Sequence, residues 1–301
     1  MFQTSYSNEM LRAAVLQAGS IPWDTPATLE KLRRYALDAA AQGVELLVFP
    51  EALIGGYPKG LDFGARVGSR TADGRAQFRR YAEGALSSFD EIGAIAREAK
   101  LWMTGGVIER DGGTLYCTVT YHAPDGTLQG KHRKVMPTAM ERLIWGFGDG
   151  STLKAIPTPW GNMAAAICWE NYMPQLRLSI YSQNVVLYCA PTVDERETWQ
   201  PSMRHIAVEG RCFVLSAVQY TEAGEWAAIN GGSVIVNPMG EVIAGPLRGQ
   251  EGLLIADIDP GQTLEGKFDL DVAGHYARPD LFQLRIDKAR QSVETEQGID
   301  Q

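Results

Sequence analysis

The sequence predicts a layered α/β domain. Short apolar runs rich in Val, Ile and Leu alternate with segments whose apolar residues recur at helical spacing. No linker, internal repeat or low-complexity tract interrupts that alternation. The chain has 301 residues, 45% of them hydrophobic, enough to bury one large core or two small ones.

In chain order, residues 12–17 read as the first strand. Residues 25–41 read as a helix, with Leu29, Leu32, Tyr35, Ala36, Ala39 and Ala40 at helical spacing and Asp24 or Thr25 as its cap. The run 44–49 is the next strand and meets Pro50-Glu51. A polar, glycine-rich stretch covers 55–74, and 76–100 forms a second helical region broken near Ser87-Ser88. Residues 101–108 and 114–122 pair as antiparallel neighbours through Asp111-Gly112-Gly113, with a turn at Ala123-Pro124-Asp125-Gly126. Strands follow at 163–168, 185–189, 213–218, 233–236 and 253–258, with helices at 174–183 and 201–211. One domain spanning 11–287 is expected, with residues 288–301 as a frayed polar tail.

Two of these strands end on reactive groups. The run Met163-Ala164-Ala165-Ala166-Ile167 closes on Cys168 and turns at once through Trp169-Glu170-Asn171. That places a thiol at the carboxyl edge of a sheet, where open α/β folds build sites and a helix N-terminus can favour a thiolate. A lone cysteine is more often a small hydrophobe in a core. The second strand end shifts that balance. Pro50 keeps its predecessor extended and cannot extend a central ladder, so Glu51 is expected just past the last paired position, facing a cleft. The basic run Lys131-His132-Arg133-Lys134, if extended, sends His132 and Lys134 to one side and Lys131 and Arg133 to the other.

Composition excludes several classes. Net charge is -8 with no long basic stripe, which argues against nucleic acid as a partner. No apolar run reaches the length of a membrane span, and residues 1–13 show no signal-peptide pattern. Cys117, Cys168, Cys189 and Cys212 lack CxxC spacing, which favours reduced thiols in a cytoplasm. The four histidines lack metal-ligand spacing, so no zinc site is expected. Attack by a thiol beside a base needs no metal or organic cofactor. No G-x-S-x-G elbow is present, and Gly261-Gln262-Thr263-Leu264-Glu265-Gly266-Lys267, followed by Phe268 where a phosphate loop needs Ser or Thr, reads as a plain loop. Cys117, Cys189 and Cys212 read as core packing.

The segments Phe49-Pro50-Glu51, His132-Arg133-Lys134 and Cys168-Trp169-Glu170-Asn171, in that order, resemble the Glu-Lys-Cys pattern of the carbon–nitrogen hydrolase (nitrilase) superfamily. The blocks Gly55-Gly56-Tyr57-Pro58-Lys59-Gly60, Pro137-Thr138-Ala139-Met140-Glu141-Arg142, Trp145-Gly146-Phe147-Gly148-Asp149-Gly150, Met203 to Arg211 and Gly274-His275-Tyr276 resemble those of its nitrilase branch. The likeness runs from about Leu11 to Asp287. It implies a four-layer α-β-β-α sandwich that assembles as a homo-oligomer. It also implies a nitrilase converting an organic nitrile to acid and ammonia, with Cys168 as nucleophile, Glu51 as base, Lys134 as charge stabiliser and Glu141 as a fourth member positioning Lys134 or the hydrolytic water. Glu170 takes a structural role. Tyr57, Trp145, Trp169 and Tyr188 are the candidate lining of an aromatic-accepting pocket. An amidase, a carbamoylase or a cyanide-converting enzyme shares the triad, and a silent binding scaffold on the same fold is the reading from another class. The short tail leaves the size of the assembly open, since many nitrilases carry a longer extension.

Overall fold

The protein is described by a computed structural model over residues 9–291. In chain order it forms β1 (Leu11–Gln17), α1 (Thr25–Ala41), β2 (Leu46–Ile54), α2 (Ala72–Glu83), α3 (Asp90–Ala99), β3 (Trp102–Asp111), β4 (Thr114–His122) and β5 (Leu128–Arg133). Then come β6 (Ile156–Thr158), β7 (Gly161–Ala165), α4 (Pro174–Tyr181), β8 (Val185–Cys189), α5 (Trp199–Gly210) and β9 (Phe213–Ser216). The chain continues through β10 (Tyr220–Thr221), β11 (Ile229–Val236), β12 (Val242–Arg248), β13 (Gly252–Ile258) and α6 (Gly261–Asp269).

These strands make two mixed sheets, ordered β13-β1-β2-β3-β4-β5 and β10-β11-β9-β8-β7-β6, with β12 beside β11. β1, β2 and β3 run parallel at the centre of the first sheet, and β7, β8 and β9 in the second. Period-2 alternation assigns each strand two faces. Ala13, Val15, Leu46 and Val48 join Met163, Ala165, Leu187 and Phe213 in a core between the sheets. Their neighbours Ala14, Leu16, Leu47 and Phe49 face outward onto Leu29, Leu32 and Ala36 of α1 and Ile92 and Ala96 of α3. On the far side Ala164, Tyr188 and Val214 meet Leu176 and Ile180 of α4 and Met203 and Ile206 of α5. Helix, sheet, sheet and helix stack as the four layers expected. Among the described residues, no helix is long and apolar enough to cross a membrane.

Several boundaries differ from the sequence reading. Asp24 is the cap of α1, accepting from Ala27 N at 2.9 Å. The helical region 76–100 divides into α2, which begins earlier at Ala72, and α3. The segment beginning at Gly261 is α6, not a loop. β12 has no strand signal in the sequence because Pro246 interrupts its pattern; its place beside β11 alone, at the margin of the ladder, tolerates a missing N–H. In the tail, Gln291 N donates to Asp149 Oδ2 at 2.8 Å, and residues 292–301 lie outside the described part. Residues 1–8, on which the signal-peptide reading partly rests, lie outside it too.

Candidate active site

The site begins with a defect in β2. Its ladder to β3 runs from Leu46↔Trp102 to Phe49↔Gly105, then breaks and resumes at Ile54↔Val107. Pro50 has no N–H to offer, so pairing fails there. Ala52 adopts φ 49°, and the bulge turns Glu51 between the sheets, where it is fully buried rather than loop-exposed. β3 accommodates the bulge through Gly106, where a Cβ would lie 2.5 Å from Glu51 Cα.

Lys134 arrives from the end of β5. The alternation holds: His132 and Lys134 point inward and are buried, while Lys131 and Arg133 pair with Glu109 on the other face. Lys134 Nζ donates to Glu51 Oε1 at 2.7 Å and to Glu141 Oε2 at 2.8 Å. Glu141 sits in a 3₁₀ turn, Ala139–Leu143, and its carboxylate also accepts from Thr138 N at 2.6 Å and from the Tyr57 hydroxyl at 2.8 Å.

Cys168 lies three residues beyond β7, at the head of a 3₁₀ turn (Cys168–Tyr172), not on the strand itself. Its φ of 52° is left-handed, a costly conformation for a residue with a Cβ. That kink sets the buried sulfur in the field of Glu51 and lets it accept from Thr192 Oγ1 at 3.1 Å. Glu170 is excluded from the cluster by its own partners. Its carboxylate accepts from Val135 N at 2.6 Å and Ile167 N at 2.7 Å, and meets His132 Nε2 at 3.0 Å. One buried carboxylate thus ties the Lys134 segment to the Cys168 segment.

Burial pushes the Glu51 carboxyl above its usual range, against the pull of Lys134. Burial, then the adjacent Glu51 charge, also raises the Cys168 thiol, so the sulfur rests protonated beside a base. Desolvation works against the Lys134 ammonium, but Glu51 and the groups beside it outweigh that, and its pKa stands above that of ordinary lysine. The arrangement can pass a proton from sulfur to carboxylate while a fixed cation meets developing negative charge.

A pocket of about 370 Å³ leads to Glu141, with Tyr57, Leu61, Phe63, Ile144 and Trp145 on its wall. Tyr57 and Trp145 meet edge to face with centroids 5.7 Å apart. Trp169 is half-exposed beside Cys168, its indole N–H donating to Asp194 and its face under Arg196. Tyr188 does not belong here. It is fully buried on the helix-facing side of β8, its ring 6.2 Å from Tyr181, because alternation along β8 gives the inner face to Leu187 and Cys189. Cys117 packs in the core, as its apolar strand suggests, and its thiol also donates to Glu51 Oε1 at 3.7 Å. Its signal lay in strand register, since Lys134 N donates to Cys117 O at 2.8 Å directly across β4 and β5. Thr192 carried no motif; only its place just beyond β8, next to the Cys168 strand, pointed to it.

A bulged Pro-Glu, a lysine beyond an edge strand and a left-handed cysteine between two sheets define a class. The chain belongs to the carbon–nitrogen hydrolase family, which it matches over residues 12–267. Within that family it falls in the nitrilase branch. It is 52% identical to an aliphatic nitrilase of Sinorhizobium fredii, over 94% of this chain and 97% of that protein. It is 48% identical to a bifunctional nitrilase/nitrile hydratase of Lupinus angustifolius, over 94% of this chain and 88% of that one. The C. elegans NitFhit protein has a similar fold, with a TM-score of 0.78 at 20% identity over 95% of this chain and 69% of that one.

Proposed function

We propose that the protein is a nitrilase, hydrolysing an organic nitrile to the carboxylic acid and ammonia through a covalent Cys168 intermediate. The observation that carries this is the buried cluster of Glu51, Lys134 and Glu141, joined through the Lys134 ammonium, whose charges act on the buried Cys168 thiol. The nitrilase names of relatives at about half identity support the substrate class.

In this reading Sγ attacks the nitrile carbon while its proton passes to Glu51 and on to the nitrogen, giving a thioimidate. Water adds to form a tetrahedral centre, and ammonia leaves with a proton from Glu51. A second water cleaves the thioester, returning the thiol. Lys134, alongside a backbone N–H near Trp169, stabilises the negative charge at the tetrahedral centres, and Glu141 holds Lys134 in place. Should the first tetrahedral centre expel sulfur instead of ammonia, the amide is released, an outcome in keeping with the bifunctional name of the lupin relative. Tyr57 and Trp145 would receive the organic part of the substrate, with Trp169 at the entrance; the mostly apolar wall suits an uncharged nitrile.

Residues 11–287 would act as one domain, in a homo-oligomer. Phe268 of α6 and Phe282 beyond it, 86% and 76% exposed, support association. Four free, buried thiols support a cytoplasmic setting.

Ammonia, acid and amide release from a panel of nitriles and matching amides, beside Cys168→Ala, tests the reading. Turnover of nitriles that vanishes in the variant is expected. Turnover of amides alone would move the protein to the amidase branch, and activity surviving without Cys168 would remove the mechanism.

A further inference from the structure

Thr192 places a buried hydroxyl 3.1 Å from the sulfur, and its surroundings determine where its proton points. The residue is fixed beyond β8 by Thr192 N to Ala217 O at 2.8 Å and Gln219 N to Thr192 O at 3.1 Å. Its Oγ1 accepts from Asp194 N at 2.9 Å, which uses the oxygen as an acceptor on one side. On the other side lies Cys168 Sγ at 3.1 Å. A hydroxyl has one proton, and with the backbone N–H donating to its oxygen, that proton is directed at the sulfur.

Resting on the nitrilase reading above, we infer that Thr192 donates a hydrogen bond to the Cys168 nucleophile, aiming its thiol proton at Glu51 and stabilising the sulfur whenever it carries negative charge. The sulfur is charged twice in each turnover, when it attacks the nitrile and when it departs. While it is bonded to the acyl or imidate carbon it is a poor acceptor, so the bond favours the charged states. Other charged or titratable groups that act on the sulfur or feel its charge include Glu51, Lys134 and Glu141, together with Tyr57 and Arg196. None of these replaces a neutral donor fixed just beyond the adjacent parallel strand.

This has a consequence for product choice. At the tetrahedral centre formed when water adds to the thioimidate, breaking C–N releases ammonia and leads to acid. Breaking C–S releases the thiolate and gives amide. A donor to sulfur assists the second path, so Thr192 sets the amide fraction as well as the rate of attack.

The test uses Thr192→Val, Thr192→Ser and, should the valine fold poorly, Thr192→Ala. Iodoacetamide labelling of Cys168 is followed by mass spectrometry across pH, beside acid and amide release from one nitrile. In the valine variant the labelling curve is expected to move up by about one pH unit, about tenfold slower at neutral pH, with a higher acid-to-amide ratio. The serine variant should retain the parent curve and ratio. Unchanged labelling in the valine variant overturns the inference while leaving Cys168 as nucleophile. A serine variant impaired as badly as the valine one, with unchanged melting, also overturns it, because the role is then one of shape. Failure to label Cys168, together with activity in Cys168→Ala, would instead overturn the site reading itself.

Discussion

Two glutamates buried to the same degree stand on either side of the Lys134 segment, and they do opposite jobs. Glu51 meets an ammonium, the Cys117 thiol and one backbone N–H, that of Val193 at 3.2 Å, and its charge acts on the Cys168 thiol. Glu170 meets two backbone N–H groups at 2.6 and 2.7 Å and an imidazole. The first environment contains groups able to exchange protons. The second consists mainly of fixed donors, which hold a carboxylate still. Residue type and burial are shared, so the identity of the partners separates a base from a brace.

Replacing each glutamate by glutamine should split these roles. Glu51→Gln removes the base and should lower nitrile turnover about 10³-fold, with melting little changed. Steady-state kinetics beside calorimetry reads both, and a parent-like rate would remove Glu51 as base. Lys134→Met should cost about 10²-fold or more in turnover. It should also move the acid limb of kcat/KM. Activity needs Glu51 charged, and burial has already raised its pKa, so activity should rise with pH through a value above the ordinary carboxylate range. Without the Lys134 ammonium that value climbs further, and a pH profile in which the limb stays put would contradict the pairing.

Glu170→Gln is the mirror experiment. The amide's NH₂ meets backbone donors that need an acceptor, costing about 3 kcal/mol of stability, read as a lowered denaturant midpoint. The surviving folded fraction should keep the acid limb of the parent. A moved limb with unchanged stability would show that the brace is part of the chemistry. The smallest effect is expected at Tyr57→Phe, which removes one hydrogen bond to Glu141 and should change kcat/KM only several-fold, about 1 kcal/mol of transition-state stabilisation.

Local pattern was enough for much of this. Alternation in Lys131-His132-Arg133-Lys134 assigned the inward lysine because a strand's two faces follow from backbone geometry. Helical spacing located α1 to the residue, and Pro50 marked the break in β2 because a missing N–H is a property of that residue alone. The order of Glu51, Lys134, Glu141 and Cys168 along the chain carried the family likeness. What local pattern could not supply was adjacency across sheets and the sign of φ. Cys117 and Tyr188 are both apolar-run residues at strand spacing, yet one faces Glu51 and the other the helices, because strand register and sheet stacking decide the inner face. Ala52 and Cys168 are residue types that give no warning of left-handed backbone; surrounding contacts impose it. Thr192 reaches the sulfur only because β7 and β8 lie parallel and end together, a meeting of residues 24 apart in the chain. Proton transfer operates over hydrogen-bond distances, and such distances between remote residues exist only once the two sheets have packed.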